Sequence, residues 1–341
     1  MYFLIYTLIL VLLLNYFLIN KKILLNSTGS NHQNFVSDGN IPLSGGLVLI
    51  LLIYFYLNNI NYYLYVAFFL IFLLGFFSDI KKINSPSLRL ILQLIIIFFS
   101  IYISSIFVSY TRIDFLDFLL KEKIFQIIFT TFCVLIIVNG SNFIDGVNSL
   151  NIGYFLIILF VIFNLNSHGV NTGSYLNLSN LFQILIILFL FNLFNKLYLG
   201  DSGSYLLGLL FSLFLIEIHQ INSNISPFFI ISLLWYPAFE NLFSILRKIR
   251  FSKSPINPDT NHLHQLIFYT LRKKYHIEKK YLNSLSGVLI NFYNFFSLIL
   301  AMQFYYNSQI QVIIILLNII IYVFVYVKLL SNKIKKFKIV N

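Results

Sequence analysis

Long apolar runs alternate with short polar stretches along almost the whole chain. Runs such as 90–108 and 312–327 lack the strict polar–apolar alternation of a barrel strand. Because backbone groups in a bilayer must be satisfied within the protein, such runs form helices. The pattern therefore predicts an all-α helix bundle with about eleven transmembrane segments, approximately 2–19, 43–57, 62–77, 88–108, 124–138, 152–165, 181–193, 205–218, 228–246, 287–304 and 310–330.

Charge placement predicts the orientation of this bundle. The first segment has no basic start and no cleavage site, and Lys21 and Lys22 follow it, which is typical of a retained span that starts outside. Alternation then leaves the C-terminus in the cytoplasm. With Lys328 counted in the tail, 20 of the 23 Lys and Arg residues lie on that side. The predicted cytoplasmic loops of this single transmembrane domain, 1–341, are 20–42, 78–87, 139–151, 194–204 and 247–286.

Composition narrows the class of protein. The chain is 59% hydrophobic and 10% charged, which a soluble protein of 341 residues could not accommodate. Its formal net charge of +12 lies mainly in the loops between segments, so it predicts a membrane partner and no nucleic acid. The one cysteine, Cys133, excludes a disulfide within the chain.

Four polar islands interrupt the apolar pattern, at 78–82, 139–146, 200–203 and 258–264. Each island contains one of the 11 acidic residues, and all four fall on the predicted cytoplasmic side. Carboxylates, amides and imidazoles gathered on one membrane face indicate a site for a charged ligand.

The first two islands suggest phosphate and nucleotide contacts. Asp79 precedes Lys82 and Arg89, an arrangement that suits a phosphate or a metal–phosphate pair, although a loop that sets topology has the same composition. In the second island Asn139, Asn142, Asp145 and Asn148 recur every three residues and would share one helix face. They could bind a planar base or sugar hydroxyls, or simply cap a polar helix end.

The third island opens a helix. Asp201 follows Gly200, and glycine allows a close approach of the backbone to a ligand. A helix N-terminus favours anions, and an Asp there can hold Mg²⁺ together with phosphate oxygens. A plain helix cap is the alternative.

The fourth island lies in the long basic loop. His262 and His264 could ligate zinc, but no third His or Cys is near them in the sequence. A diphosphate bound with Arg247 and Arg250 fits the loop better. Glu240 lies inside the ninth segment, where a snorkelling pair with Arg247 is the simplest interpretation.

In this order, the islands resemble the motifs of the polyprenyl-phosphate N-acetylhexosamine-1-phosphate transferases, the MraY/WecA-like enzymes of the glycosyltransferase family 4 type. The last motif is similar to the branch that initiates surface polysaccharides, and the resemblance extends over most of the chain. The matching stretches are 42–46, 79–93, 142–150, 199–208 and 258–264.

The resemblance implies transfer of N-acetylhexosamine-1-phosphate from a UDP-N-acetylhexosamine to a polyprenyl phosphate such as undecaprenyl phosphate, with release of UMP. It implies a cytoplasmic site in the bacterial inner membrane, and it is compatible with a homodimer. Mg²⁺ is the implied cofactor, with Mn²⁺ as a substitute.

The resemblance also implies residue roles. The catalytic carboxylates would be Asp79, Asp145 and Asp201, with Asp201 binding the metal and Asp79 orienting the lipid phosphate or accepting its proton. The remaining implied contacts with the two substrates are Lys82, Arg89, Asn139, Asn142, Asn148, Arg247, Arg250, His262 and His264.

The chain departs from the family pattern at four positions. Ser78 replaces the first Asp of a pair, Ser149 replaces a Gly, Glu240 stands where an Asp is common, and Asp38 stands where relatives have a basic residue. Two other functions therefore stay open. A flippase or transporter would place its binding groups near the bilayer midplane, unlike these islands. A catalytically dead homologue would bind the nucleotide sugar without turnover.

Overall fold

The computed structural model describes residues 2–25, 41–58, 62–167, 169–173, 176–250 and 261–340, with side chains as far as Lys333. Over these ranges the regular structure is helical. The helices are α1 (Tyr2–Lys21), α2 (Gly45–Leu51), α3 (Ile53–Tyr56), α4 (Tyr62–Asp79), α5 (Pro86–Ser104), α6 (Asp114–Leu119), α7 (Lys123–Ile144), α8 (Leu150–Ser167), α9 (Leu178–Leu193), α10 (Gly200–Ile221), α11 (Pro227–Leu233), α12 (Trp235–Arg250), α13 (Leu263–Lys274), α14 (Lys279–Gln303) and α15 (Ser308–Val340).

The predicted class, an all-α polytopic membrane bundle, is confirmed. Each of the eleven predicted segments contains a helix or a helix pair. Within the described residues, eight helices are long and apolar enough to cross a membrane, and the bent pair α11–α12 makes nine. The helices of the other two segments are shorter than the length needed to cross a membrane: α9 has 16 residues, and the α2–α3 pair has helices of 7 and 4 residues.

Helix α10 lies at the centre of the bundle, between α4 and α7. Every residue from Gly200 to His219 except Asp201 is buried, so this one helix is surrounded almost completely. At Gly75 on α4, an added Cβ would collide with backbone atoms of Ser202. The missing side chain lets α4 approach the first turn of α10 and brings Asp79, the last residue of α4, to that turn.

A break at Leu234 separates α11 from α12 and bends the pair by 75°. A buried tyrosine on α8 satisfies backbone groups that the break leaves unpaired. The Tyr154 hydroxyl donates to the carbonyl of Leu233 at 2.8 Å and accepts from the amide of Tyr236 at 3.4 Å. The bend turns α12 toward α7, against which it packs.

Arg112 ties three interhelical loops together at the end of the bundle away from Asp79. Its guanidinium donates to the carbonyls of Tyr306 and Ser223, and to the hydroxyl of Ser308, at 3.0 to 3.3 Å. The loops after α5, α10 and α14 therefore meet at one end, as the alternation of the predicted segments requires.

Candidate active site

Asp79 binds the N-terminus of α10. Its Oδ1 accepts from the amide of Asp201 at 2.8 Å, and its Oδ2 accepts from the amide and the hydroxyl of Ser202 at 3.1 and 2.7 Å. Gly200, which precedes them, has φ +77, and an added Cβ would lie 2.8 Å from Asp79 Oδ2. Both oxygens of Asp79 are therefore used to hold the start of α10, where a carboxylate is favoured by the helix dipole.

The Asp201 carboxylate is bound from both sides. Its Oδ2 accepts from Ser78 Oγ at 2.5 Å and from Arg89 Nη1 at 3.0 Å, and its Oδ1 accepts from Asn142 Nδ2 at 2.7 Å. Arg89 also donates to Ser78 Oγ at 2.7 Å. The serine that replaces a family aspartate thus bridges a cation and a carboxylate without adding charge.

Asp145 is the third carboxylate of this cluster. It caps the C-terminal end of α7, one turn beyond Asn142. Burial, followed by the charge of Asp201, raises the pKa of Asp145 well above its usual range. A partly buried acid beside other carboxylates is one that a bound cation would stabilise in its charged form.

The residues of this cluster fit a magnesium ion. In the described part of the chain no three His, Cys, Asp or Glu residues form a ready-made metal cage. Mg²⁺, however, usually takes one or two protein carboxylates and completes its shell with phosphate oxygens and water. Asp201 and Asp145 would provide that donor set, and Asp79, which holds the start of α10, lies beside them.

Three of the other predicted substrate contacts are a half-buried amide of α7 and two exposed cations. Asn139 donates to Gln93 Oε1 at 3.0 Å, on the same face of α7 as Asn142. Lys82 is exposed, with its ammonium 5.9 Å from the ring centre of Phe77, and Arg250 is exposed at the end of α12.

Asn148 lies in a buried network of amides on the far side of the turn after α7. Its Nδ2 donates to the Asn192 carbonyl at 2.8 Å and to Asn195 Oδ1 at 2.7 Å. The next residue, Ser149, has φ +66, and its amide donates to Asn192 Oδ1 at 2.5 Å. The turn therefore separates Asn148 from Asn142 and Asp145, although the sequence spacing suggested a shared helix face.

The His-x-His segment lies against the end of α7. The rings of His262 and His264 are nearly parallel, with centroids 5.5 Å apart, and His262 also contacts the ring of Phe143 at 5.2 Å. His264 is completely buried, so its pKa falls to about 3 and the ring is neutral. Neither of its ring nitrogens has a hydrogen-bond partner in the described structure, and Nε2 lies directly beside Gly146. Asp259 falls outside the described residues.

The interpretation of Glu240 as a partner of Arg247 is wrong. Glu240 is 1% exposed, and its oxygens contact His262 Nδ1 at 2.8 Å and accept from the Tyr322 hydroxyl at 2.7 Å. Arg247 instead donates to Ser244 Oγ at 3.3 Å and lies over the ring of Tyr326. Sequence spacing missed this pairing because His262 and Tyr322 are distant along the chain.

An apolar cavity of about 250 Å³ runs between α7 and the broken pair α11–α12. Its walls include Cys133 and Ile137 of α7, and Ala238 and Leu242 of α12. The same α7 carries Asn139 and Asn142 in its last turns. Helix α7 therefore contributes both to the wall of the apolar cavity and to the polar cluster.

Residues 61–219 match the model of glycosyl transferase family 4. That stretch contains Asp79, Asn142, Asp145 and Asp201, which the structure brings together at one end of the bundle. Over this stretch the chain is similar to glycosyl transferase family 4. The motif resemblance to the polyprenyl-phosphate hexosamine-1-phosphate transferases is thereby confirmed, while Glu240 and His262 lie outside the matched residues.

Two curated proteins are similar to this chain over part of its length. A decaprenyl-phosphate N-acetylglucosaminephosphotransferase of Mycolicibacterium smegmatis is 29% identical over 164 residues, which cover 42% of this chain and 40% of the relative. The protein of the same name from Mycobacterium tuberculosis H37Rv is 29% identical over 160 residues, 41% of this chain and 40% of its own length. The chain thus matches about two fifths of each relative.

Proposed function

We propose that the protein transfers N-acetylhexosamine-1-phosphate from a UDP-N-acetylhexosamine to a polyprenyl phosphate such as undecaprenyl phosphate, releasing UMP at the start of a lipid-linked surface glycan. The observation that supports this most is the position of the Asp79–Asp145–Asp201 cluster at the end of α7, the helix that also lines the apolar cavity. One substrate is a lipid and the other is soluble, so a site at the boundary of apolar and polar surfaces suits both.

Phosphoryl transfer depends mainly on position and charge compensation. A Mg²⁺ held by Asp201 and Asp145 would neutralise charge on the donor diphosphate. Arg89 supplies a fixed cation beside Asp201, and Asn142 orients the same carboxylate. Asp79 keeps the first turn of α10 in place and so holds Asp201 in position for the metal.

The prenyl chain would occupy the cavity along α7. Its walls are almost entirely apolar, and Ser212 is one of its few polar members. A lipid whose chain lies there would have its phosphate near the last turn of α7. Replacement of Ala238 by Phe should fill the cavity and raise the KM for polyprenyl phosphate while leaving the KM for the UDP-sugar unchanged.

The deciding experiment measures UMP release by the purified full-length protein with UDP-N-acetylglucosamine, undecaprenyl phosphate and Mg²⁺. Release that needs both substrates supports the proposal. Folded protein that binds UDP-sugar but releases no UMP with any UDP-N-acetylhexosamine would identify a dead homologue. Lipid movement across vesicles without UMP release would identify a flippase.

Sidedness can be tested separately. Single cysteines at the exposed Ser87 and Ser223, in a Cys133→Ser background, lie at opposite ends of the bundle. We expect a membrane-impermeant thiol reagent to label Ser223→Cys in intact cells and to label Ser87→Cys only after the membrane is opened. Labelling in the reverse pattern would place the carboxylate cluster outside the cytoplasm.

A further inference from the structure

A buried acid on the broken helix and a tyrosine on the last helix hold one histidine of the His-x-His segment. Glu240 contacts His262 Nδ1 through one oxygen, at 2.8 Å, and the Tyr322 hydroxyl through the other, at 2.7 Å. Glu240 is 1% exposed, Tyr322 is 3% exposed and His262 is 6% exposed. These three groups come from α12, the start of α13 and α15, which no local sequence motif would connect.

The contact with Glu240 assigns a place to the imidazole proton once the carboxylate is ionised. An ionised carboxylate can only accept hydrogen bonds, and the tyrosine hydroxyl donates to its other oxygen. With Glu240 ionised, Nδ1 of His262 is then the nitrogen that carries the proton and donates to Glu240. The hydrogen bond at one ring nitrogen fixes the tautomer and so decides the role of the other. Any contact of this ring with a phosphate goes through Nε2.

The ring is fixed in angle as well as in tautomer. His262 lies between Phe143, at 5.2 Å, and His264, at 5.5 Å with an interplanar angle of 12°. Phe143 belongs to the end of α7, between Asn142 and the cluster residue Asp145. A rotation of the His262 ring would therefore disturb the packing beside the carboxylate cluster.

The last helix contributes further contacts to the same region. Lys333 Nζ donates to Asn261 Oδ1 at 2.8 Å, directly before His262, and the ring of Tyr326 lies under Arg247. Helix α15 thus contacts the histidine segment, the buried acid and the basic end of α12. It lies outside the part of the chain matched by the family model.

We propose that Glu240 and Tyr322 are positioning residues that act through His262: they fix its Nδ1–H tautomer and its angle, so that Nε2 meets the diphosphate of the nucleotide sugar. This inference rests on the proposed function, because it assigns the donor diphosphate as the ligand of His262. It goes beyond that function by assigning a part in donor binding to residues on α12 and α15.

Glu240→Gln keeps the size of the side chain and removes its charge. We expect kcat/KM for UDP-N-acetylglucosamine to fall by about tenfold or more, as for other groups that orient a histidine ligand. The KM for undecaprenyl phosphate should stay within twofold. Tyr322→Phe should show the same pattern at about threefold. Tyr236→Phe is the matched control, since among the described residues its buried hydroxyl has no hydrogen-bond partner. Its kcat/KM should stay within twofold of the wild type.

A double-mutant cycle with His262→Asn separates positioning from general destabilisation. If Glu240 acts through His262, Glu240→Gln adds less than twofold to the loss caused by His262→Asn alone. The inference would be overturned if the loss in the double variant equalled the product of the two single losses. It would also be overturned if the KM for the lipid rose as much as the KM for the UDP-sugar.

Histidine ¹⁵N NMR gives a readout independent of turnover. The His262 signal, assigned by its loss in His262→Asn, should show a protonated Nδ1 in the wild type and in Tyr236→Phe. A wild-type His262 with its proton on Nε2 alone overturns the assignment even if Glu240→Gln fails to fold. If the wild type releases no UMP, the proposed function fails; if it is active and Tyr322→Phe and Glu240→Gln equal the wild type, only this inference fails.

Discussion

Two polar regions, one partly buried and one fully buried, lie on either side of the turn that follows α7, and they differ in charge. On one side, Asp201, Asp145 and Arg89 form a cluster of charged groups in which the pKa of Asp145 is raised by burial and by neighbouring carboxylates. On the other side, Asn148 and its partners form a neutral network in which amides donate to carbonyls and to other amides.

The difference separates groups that can respond to a ligand from groups that hold the fold. Crowded carboxylates cost free energy until a cation or a substrate compensates them. Satisfied amides contribute only their net hydrogen-bond energy, about 1 kcal/mol each, and cost more when one partner is removed. We therefore expect substitutions in the first region to change turnover and substitutions in the second to change stability.

The largest effect is expected at Asp201. Asp201→Asn keeps the shape of the side chain but removes the charge that Arg89 and a bound metal would share. UMP release should fall by about a thousandfold or more, because metal charge stabilisation supplies several kcal/mol. The thermal unfolding temperature should change little. Turnover close to that of the wild type would show that Asp201 is a structural residue, and the two polar regions would then not differ in function.

Asp79→Asn should affect both properties. The amide cannot accept from Asp201 N and Ser202 N with both of its terminal atoms, so about 2 kcal/mol of stability is lost. Displacement of the first turn of α10 should lower kcat by about a hundredfold. Unfolding curves and UMP release are measured on the same preparations. A loss of turnover with unchanged unfolding would restore Asp79 as a direct participant in the chemistry.

Ser78→Ala should have a mild effect, within about tenfold in kcat/KM. The variant loses the hydroxyl between Arg89 and Asp201, but their direct contact at 3.0 Å remains. Ser78→Asp, which restores the family residue, is the companion variant and is compared in the same UMP assay. If Ser78→Asp raises turnover by several hundredfold, the wild-type chain is a degenerate member of its family.

The smallest effect on turnover is expected at Asn148. Asn148→Ala removes the donor to Asn195 Oδ1 and one of the donors to the Asn192 carbonyl, at a cost of about 2 kcal/mol. The kcat of the folded fraction should stay within twofold. Thermal unfolding measures the loss of stability, and UMP release per folded protein measures kcat. A large rise in the KM for the UDP-sugar without a change in unfolding would return Asn148 to the nucleotide site.

The sequence predicted the helical class and the convergence of three islands, because apolar run length and charged loops are local properties. Asp79, Asn142 and Asp201 meet as expected. The spacing of three residues from Asn139 to Asn148 predicted one shared helix face, which is wrong for Asn148. Helix α7 ends at Ile144, and Ser149 has a positive φ where the chain turns. Glu240 was misassigned because its partners depend on the bend before α12 and on the packing of α15, which are tertiary.

The bend at Leu234 also determines how far the two ends of α12 move when the angle between α11 and α12 changes. Helix α12 has 16 residues and is about 24 Å long. A change of about 10° at the break would move its far end, near Arg250, by about 4 Å, whereas the atoms around Tyr154 would move by a fraction of that distance. The phenol that spans Leu233 and Tyr236 thus fixes, from the middle of the bundle, the reach of every basic group on α12 toward the carboxylates.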